Sequence, residues 1–515
     1  MKKQVLDWFR LGIYIVMAIF LSRLVFLTLV LGGYHEERAN GNRIRSERLN
    51  ALRGVILDRN GEYLVINKEM EDGKVTRHYP LGEIGAGITG FIGEISEEDL
   101  DMCGDKCFLG QMVGKAGLEG WYEKKLKGDW GVKLIEENAL GEKIQELERD
   151  NSIGGEDLKL NIDVELQKQV FWILKEALKE NELTEAGVVV SKVNGEVLSL
   201  VSLPSYDPNL LIKDGVRAEE GGTYADVVGI ISDGEGKPMF NRVVAGVYPP
   251  GSVYKLVVTV AGLEEEVTDA QKEVEDKGEI KIGEFRFGNW YFNQYGRTEG
   301  LVNLEKALSR SNDIYFYKLG EWLGVDKMVK WSDTMGIGRQ TGIDLPGEAT
   351  GFLPTPLWKE KRTGERWFLG NTYHLAIGQG DLLVTPLQVN SWTASVFSGE
   401  VCEPRLVSGK PDCRNLKIGD STKSLIASGM KKACMSGGTG FSFFDMDGKI
   451  YCKTGTAQHG GETTEPHAWI TVVVPMGDDE MEWVVVTILL PESGEGSEMA
   501  GPVARKIVDY ILRGK

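Results

Sequence analysis

The sequence predicts an α+β protein carried on a membrane anchor. Strand-like runs stand at both ends of the C-terminal two thirds of the chain, and residues 250–440 between them read as mostly helical with loops. An apolar run from Leu11 to Leu31 predicts the anchor. The composition, 42% hydrophobic and 26% charged, is that of a chain that folds. At about 150 residues per domain, a chain of 515 residues holds roughly three units. Lys and Arg number 59 against 77 Asp and Glu, a net charge of -18, which argues against a nucleic-acid binder that must neutralise phosphates. The 65 glycines are scattered, without a collagen period, and there is no solenoid repeat.

The apolar run is broken only by Ser22, Arg23 and Thr28. At about 1.5 Å per residue it covers roughly 31 Å, enough for a bilayer core. Arg23 would cost about 2.5–3.5 kcal/mol near mid-membrane unless the span sits further toward the N-terminus and the side chain snorkels. Lys2, Lys3 and Arg10 precede the run and Arg38, Arg43, Arg45, Arg48 and Arg53 follow it, so basic charge does not fix the orientation. A cleaved signal peptide would have a shorter apolar region and an A-x-A-like site, and neither is evident.

Past the span, Asn60-Gly61 between apolar runs predicts a β-hairpin within 53–65, and a helical stretch lies around Leu118 to Leu126. Gly154-Gly155 marks a boundary. Asp163 is placed to cap a helix with apolar residues at Leu166, Val170, Ile173, Leu174, Ala177 and Leu178. Gly187–Ser191 and Glu196–Ser202 form strands around Asn194-Gly195. Gly448–Ala457, Ala468–Val474 and Trp483–Leu490 form three more, and Pro502 to Arg513 a closing amphipathic helix. All six cysteines follow the span. The sequence-local pairing is Cys103–Cys107, Cys402–Cys413 and Cys434–Cys452, with free thiols as the alternative.

Three segments could carry chemistry. In Tyr248-Pro249-Pro250-Gly251-Ser252-Val253-Tyr254-Lys255, a rigid turn leads into an apolar helix. Ser252 then sits near a helix N-terminus, where N–H groups favour developing negative charge. Lys255, about one turn on, can reach the Ser252 hydroxyl, and a neutral amine can serve as its base. The same spacing recurs at Ser428 and Lys431, which read as helix surface. Ser311-Asn312-Asp313 comes second, with a helix cap as its plainer reading. Lys453-Thr454-Gly455-Thr456 comes third, on a strand whose hydroxyls and ammonium can hold a carboxylate while the glycine admits another chain. An edge strand with a solubilising lysine is the plainer reading there.

S-x-x-K, S-x-N/D and K-T-G in that order resemble the penicillin-recognising serine enzymes. The resemblance extends along the chain to class B penicillin-binding proteins of the elongation type. It includes Arg53-Gly54, Asp58-Arg59-Asn60-Gly61, Gly114-Lys115-Ala116-Gly117-Leu118-Glu119, Asn241-Arg242, Trp358-Lys359, Gly378-Gln379-Gly380, Thr385-Pro386-Leu387-Gln388 and His467-Ala468-Trp469. It implies a short cytoplasmic tail at 1–10, a transmembrane helix at 11–31, an elongated pedestal or dimerisation-type domain at 36–155 and a transpeptidase domain at 156–515. That last domain is expected to be an antiparallel sheet flanked by helices with a helical subdomain.

The implied activity is a serine D,D-transpeptidase acting on D-Ala-D-Ala stem peptides of peptidoglycan outside the cytoplasm, inhibited by β-lactams and partnered by a SEDS-type membrane glycosyltransferase. Ser252 would attack, Lys255 would take its proton, and Ser311 would pass one to the leaving D-Ala. Lys453, Thr454 and Thr456 would hold the carboxylate, with backbone N–H groups of Ser252 and Thr456 as the oxyanion hole. A neutral Lys255 needs a pKa lowered by burial or by a nearby cation, for which Lys453 is the candidate. Asp313 stands where many relatives have Asn; the elongation branch commonly shows Asp there, so the residue reads as a marker of that branch. No His or Cys lies between Ser252 and Ser311, so no metal is expected. No cofactor motif, P-loop or H-E-x-x-H is present. A β-lactamase or β-lactam sensor, a D,D-carboxypeptidase, and a non-catalytic scaffold for a wall polymerase are the alternatives.

Overall fold

The computed structural model describes residues 2–71, 73–97, 107–138, 141–212, 215–219, 222–446, 448–460 and 464–513. It forms two compact units, one made of 1–54 with 124–156 and the other of 55–123 with 157–515.

The first unit begins with an α-helix, Lys2–Val25, that runs on through a π-turn to Val30. Residues 3–30 are long and apolar enough to cross a membrane, and none of that span is buried within the protein. The polar residues in the run are provided for locally. Ser22 Oγ donates to the Ile19 carbonyl at 2.9 Å and Thr28 Oγ1 to that of Leu24 at 2.7 Å. The Arg23 guanidinium lies 5.5 Å from the Phe26 ring. In lipid, such internal bonds replace the missing water. A second helix, Gly32–Arg43, leads into an antiparallel sheet of Ile44–Leu49, Gly131–Glu137 and Lys143–Asp150, with 131–137 in the centre. Opposed charges mark its register, as where Lys133 Nζ meets Glu47 at 3.0 Å directly across the strands.

In the second unit the expected hairpin forms between Ile56–Leu57 and Tyr63–Glu69. Asp58 accepts the N–H groups of Asn60 and Glu62 at 2.7 and 2.9 Å, and Gly61 takes φ +97°. The helix expected around Leu118 to Leu126 is two short ones, Gly117–Trp121 and Glu123–Leu126, broken at Tyr122.

Helix α1 (Val164–Glu180) starts at Asp163, whose carboxylate accepts the Leu166 N–H at 3.0 Å. Five strands follow: β1 (Ala186–Lys192), β2 (Val197–Leu203), β3 (Tyr451–Ala457), β4 (His467–Val474) and β5 (Val484–Leu490). They form one antiparallel sheet in the order β2-β1-β5-β4-β3, with β3 at an edge. Between β2 and β3 lie α2 (Lys255–Glu264), α3 (Leu304–Arg310), α4 (Asp313–Leu323), α5 (Pro386–Ser398) and α6 (Asp420–Ala433), and α7 (Gly501–Arg513) ends the fold.

The two-residue period of the strands divides their side chains between two cores. Val188, Ile470, Val472, Val486 and Ile488 pack with Leu166, Val170 and Leu174 of α1 and Val503 and Ile507 of α7. Trp469, Val473, Val485 and Leu489 pack with Val257, Leu319 and Trp392 from the helical middle. The middle also holds three short antiparallel strand pairs that hydrophobic periodicity does not announce. They pair 273–276 with 300–303, 279–282 with 285–288, and 400–402 with 413–415.

Cys402–Cys413 and Cys434–Cys452 are disulfides. Cys103 lies outside the described residues, so the pairing expected for it is not described. Glu400, Cys402 and Cys413 bring ligand-type atoms within 4.8 Å of one another, but the two sulfurs are bonded together. Alkylation of the denatured, unreduced chain followed by peptide mass analysis should leave these four cysteines unmodified. Labelled Cys434 or Cys452 would contradict the pairing.

Candidate active site

The turn before α2 is shaped by backbone proximity. Gly251 has φ +56°, and a Cβ there would stand 2.6 Å from the Thr456 carbonyl oxygen, so only glycine lets this turn abut β3. Its N–H donates to the Gly378 carbonyl at 2.8 Å. Gly378 itself has φ +73°, and its Cβ would meet the Gly251 oxygen at 2.1 Å. Gln379 Nε2 reaches the Thr456 carbonyl at 3.3 Å. The Gly378-Gln379-Gly380 loop thus buttresses the turn. Trp469 of β4 adds a bond from its indole N–H to the Pro249 carbonyl at 3.0 Å. Ser252 sits in a 3₁₀ turn, Gly251–Tyr254, one turn ahead of α2, and is half-buried.

Ser311 ends α3 in the left-handed region at φ +54°. Asn312 then caps α4 by accepting the Tyr315 N–H at 2.9 Å. The capping role anticipated for this segment falls to Asn312, which leaves Ser311 and Asp313 for other contacts. Asp313 Oδ2 accepts the Trp290 N–H at 3.0 Å, and its own N–H donates to Asn289 Oδ1 at 3.1 Å. Behind them, buried Asp276 accepts the side-chain amides of Asn289 and Asn312, each at 2.8 Å.

The two lysines converge on this segment. Lys255 Nζ donates to the Ser311 carbonyl at 2.8 Å, to Ser311 Oγ at 3.4 Å and to Asp313 Oδ1 at 2.6 Å. None of these bonds goes to Ser252, although the spacing along the chain suggested that partner. Lys453 Nζ donates to Ser311 Oγ at 2.8 Å and to the Thr454 carbonyl at 2.9 Å. Thr454 Oγ1 donates to Thr439 Oγ1 at 2.8 Å, and Thr456 Oγ1 accepts the Gly496 N–H at 3.2 Å. A Cβ on Gly455 would find Pro250, Val253 and Trp469 all at 3.1 Å, so β3 and the Ser252 turn are closely packed. Ser428 lies on α6 and bonds Glu305, and Lys431 is exposed.

Both lysines are 0% exposed. Burial lowers the Lys255 pKa, and the Asp313 carboxylate works against that shift. Burial also holds Lys453 well below the ordinary lysine value, with the Lys255 charge adding to the effect. Of the two expected causes of a lowered Lys255 pKa, burial and a nearby cation, burial is the one that acts. The polar groups found only from the structure are Asp276, Asn289, Trp290 and Thr439. Several lie in the short strand pairs and loops of the middle, where no periodicity marks them.

Residues 186–509 match the model for the penicillin binding protein transpeptidase domain, and 71–160 match that for the penicillin-binding protein dimerisation domain. Peptidoglycan D,D-transpeptidase MrdA of Haemophilus influenzae is 32% identical over 473 residues, covering 85% of this chain and 69% of the relative. The crystal structure of Pseudomonas aeruginosa PBP2 in complex with WCK 5153 superposes with a TM-score of 0.77 at 30% identity, over 91% of this chain and 97% of that one. A chain from a peptidoglycan synthase complex that coordinates polymerization and crosslinking superposes at 0.78 and 25% identity, over 99% of both chains. With the sheet, the three motifs and this coverage in place, the chain belongs to the penicillin-binding protein transpeptidase family, as a class B member of the elongation type.

Proposed function

We propose that this protein is a membrane-anchored serine D,D-transpeptidase that cross-links peptidoglycan stem peptides during elongation through an acyl-enzyme on Ser252, and that β-lactams acylate the same residue. The observation that carries the reading is the meeting of Lys255 and Lys453 at Ser311, from three separate segments of chain. The fold agrees with it, as does the activity for which the Haemophilus influenzae relative is named.

In the proposed cycle Ser252 attacks the penultimate D-Ala carbonyl and Lys255, once neutral, accepts its proton. N–H groups of Ser252 and Thr456 face the oxyanion. Ser311, bonded to Lys453, delivers a proton to the departing D-Ala. Lys453, Thr454, Gly455 and Thr456 form the strand that holds the terminal carboxylate. We further propose the division into a tail at 1–10, a span at 11–31, a pedestal at 36–155 and a catalytic domain at 156–515 outside the cell (inner) membrane. A SEDS-type glycosyltransferase is the proposed partner, and the synthase complex among the related structures supports a partner of that kind.

The Asp313 carboxylate favours the charged form of Lys255 against the effect of burial, so replacing it removes a contribution that raises the Lys255 pKa. Asp313→Asn should retain acylation, with the acidic limb of its pH–rate profile displaced to lower pH. Complete loss of acylation would show that the carboxylate itself is required. The primary test is labelling of the full chain with a fluorescent penicillin, which Ser252→Ala must abolish and Ser428→Ala must not.

A further inference from the structure

The two walls of the candidate site are joined by one side-chain bond that the proposed cycle does not use. Gln294 Nε2 donates to Glu495 Oε1 at 2.5 Å. Gln294 lies on the short helix Trp290–Tyr295, whose first N–H is held by Asp313. Glu495 precedes Gly496, whose N–H is held by Thr456. A Cβ on Gly496 would stand 2.2 Å from the Gly455 oxygen and 2.3 Å from that of Trp469, so this backbone runs hard against β3. Glu495 is therefore fixed beside the third motif and faces the wall of the second.

Its surroundings leave its charge unanswered. Among the described residues its side-chain partner is the neutral Gln294 amide, and the charge nearest in effect is another carboxylate, Glu498. Burial and Glu498 together raise the Glu495 pKa. A cation placed there would offset both effects. An ammonium bonds a carboxylate more strongly than an amide does, so it would displace Gln294.

We propose that Glu495 binds the amine of the acceptor stem peptide, with Gln294 occupying that place in the empty site. The inference rests on the acyl-enzyme reading of Ser252. In the second half-reaction the acceptor, bound as its ammonium, first loses one proton to solvent; the free amine nitrogen then bonds to the acyl carbon, and that carbon's bond to Ser252 Oγ breaks. The proton lost by nitrogen returns to Ser252 Oγ. Attack makes the nitrogen cationic, and a fixed carboxylate beside it favours that charge as it develops. Water acting in its place would give hydrolysis. Glu495 is thus a residue that selects transpeptidation over carboxypeptidation.

The test is the partition of the acyl-enzyme. The full chain in detergent is acylated by a thioester of an acyl-D-alanine, with D-alanine as the amine, and aminolysis is measured against hydrolysis. Glu495→Gln should lower the ratio about tenfold, the loss expected for a hydrogen bond between charged groups. Gln294→Lys should lower it as well, by holding a tethered ammonium on Glu495, whereas Gln294→Ala should keep or raise it. Fluorescent penicillin on Ser252 checks that each variant folds and acylates. A wild type that takes no label at Ser252 overturns the acyl-enzyme reading and this inference with it. A labelled wild type that only hydrolyses, or a ratio unmoved by Glu495→Gln and Gln294→Lys, overturns the inference alone.

Discussion

Ser252→Ala should abolish labelling by a fluorescent penicillin, while Ser428→Ala should label as the wild type does. Both serines begin the same S-x-x-K spacing, so the pair separates the motif from its setting. Ser252 stands in a turn pressed against β3 by Gly251 and Gly378, with Lys255 and Lys453 converging on Ser311 nearby. Ser428 faces Glu305 from the side of α6, and Lys431 points to solvent. Removing the nucleophile of a serine enzyme lowers turnover by roughly a million-fold, so no label should be detectable. Time courses should also show a label that persists in the wild type, because a β-lactamase would turn it over. Equal loss in both variants, or persistence in Ser252→Ala, would place the nucleophile elsewhere.

How far the sequence leads depends on whether a feature is written in period or in contact. The central sheet was legible because its strands are long, apolar and bounded by turn residues, as at Asn194-Gly195. Helix α1 was legible from its Asp163 cap through most of its buried stripe, although Ile173 is only half-buried and Gln167 and Phe171 are buried beside it. The three motifs were legible as spacings. The strand pairs of the middle were not, because Glu279-Ile280-Lys281-Ile282 is too short and too polar to stand out from a loop. Nor was the support of Asp313 by Asn289 and Trp290, which lie more than 20 positions away in the chain. That Lys255 bonds Asp313 and not Ser252 has a physical reason. Helical spacing puts Ser252 within reach, but Ser252 belongs to a 3₁₀ turn, and a buried ammonium goes to the strongest acceptor present, the Asp313 carboxylate.

That ion pair yields the second large effect. Lys255 is completely buried, and the Asp313 side chain is 11% exposed. Lys255→Met should abolish acylation, because among the described residues no other amine bonds Ser311 from the α2 side. It should also destabilise the fold by about 3–5 kcal/mol, because a carboxylate is left in the interior without its counter-charge. The double variant Lys255→Met, Asp313→Asn separates these losses. With the carboxylate neutralised, most of the stability should return, since replacing both partners of a buried pair is far less costly than removing one. Acylation should not return, because the base is still missing. Thermal unfolding of the full chain in detergent reads the first quantity and penicillin labelling the second. A double variant no more stable than Lys255→Met would show that the orphaned charge is not what destabilises the single variant, with Lys453 then supplying the compensation. A labelled Lys255→Met protein would remove Lys255 from the role of base and leave Lys453, already bonded to Ser311, as the amine that takes the proton.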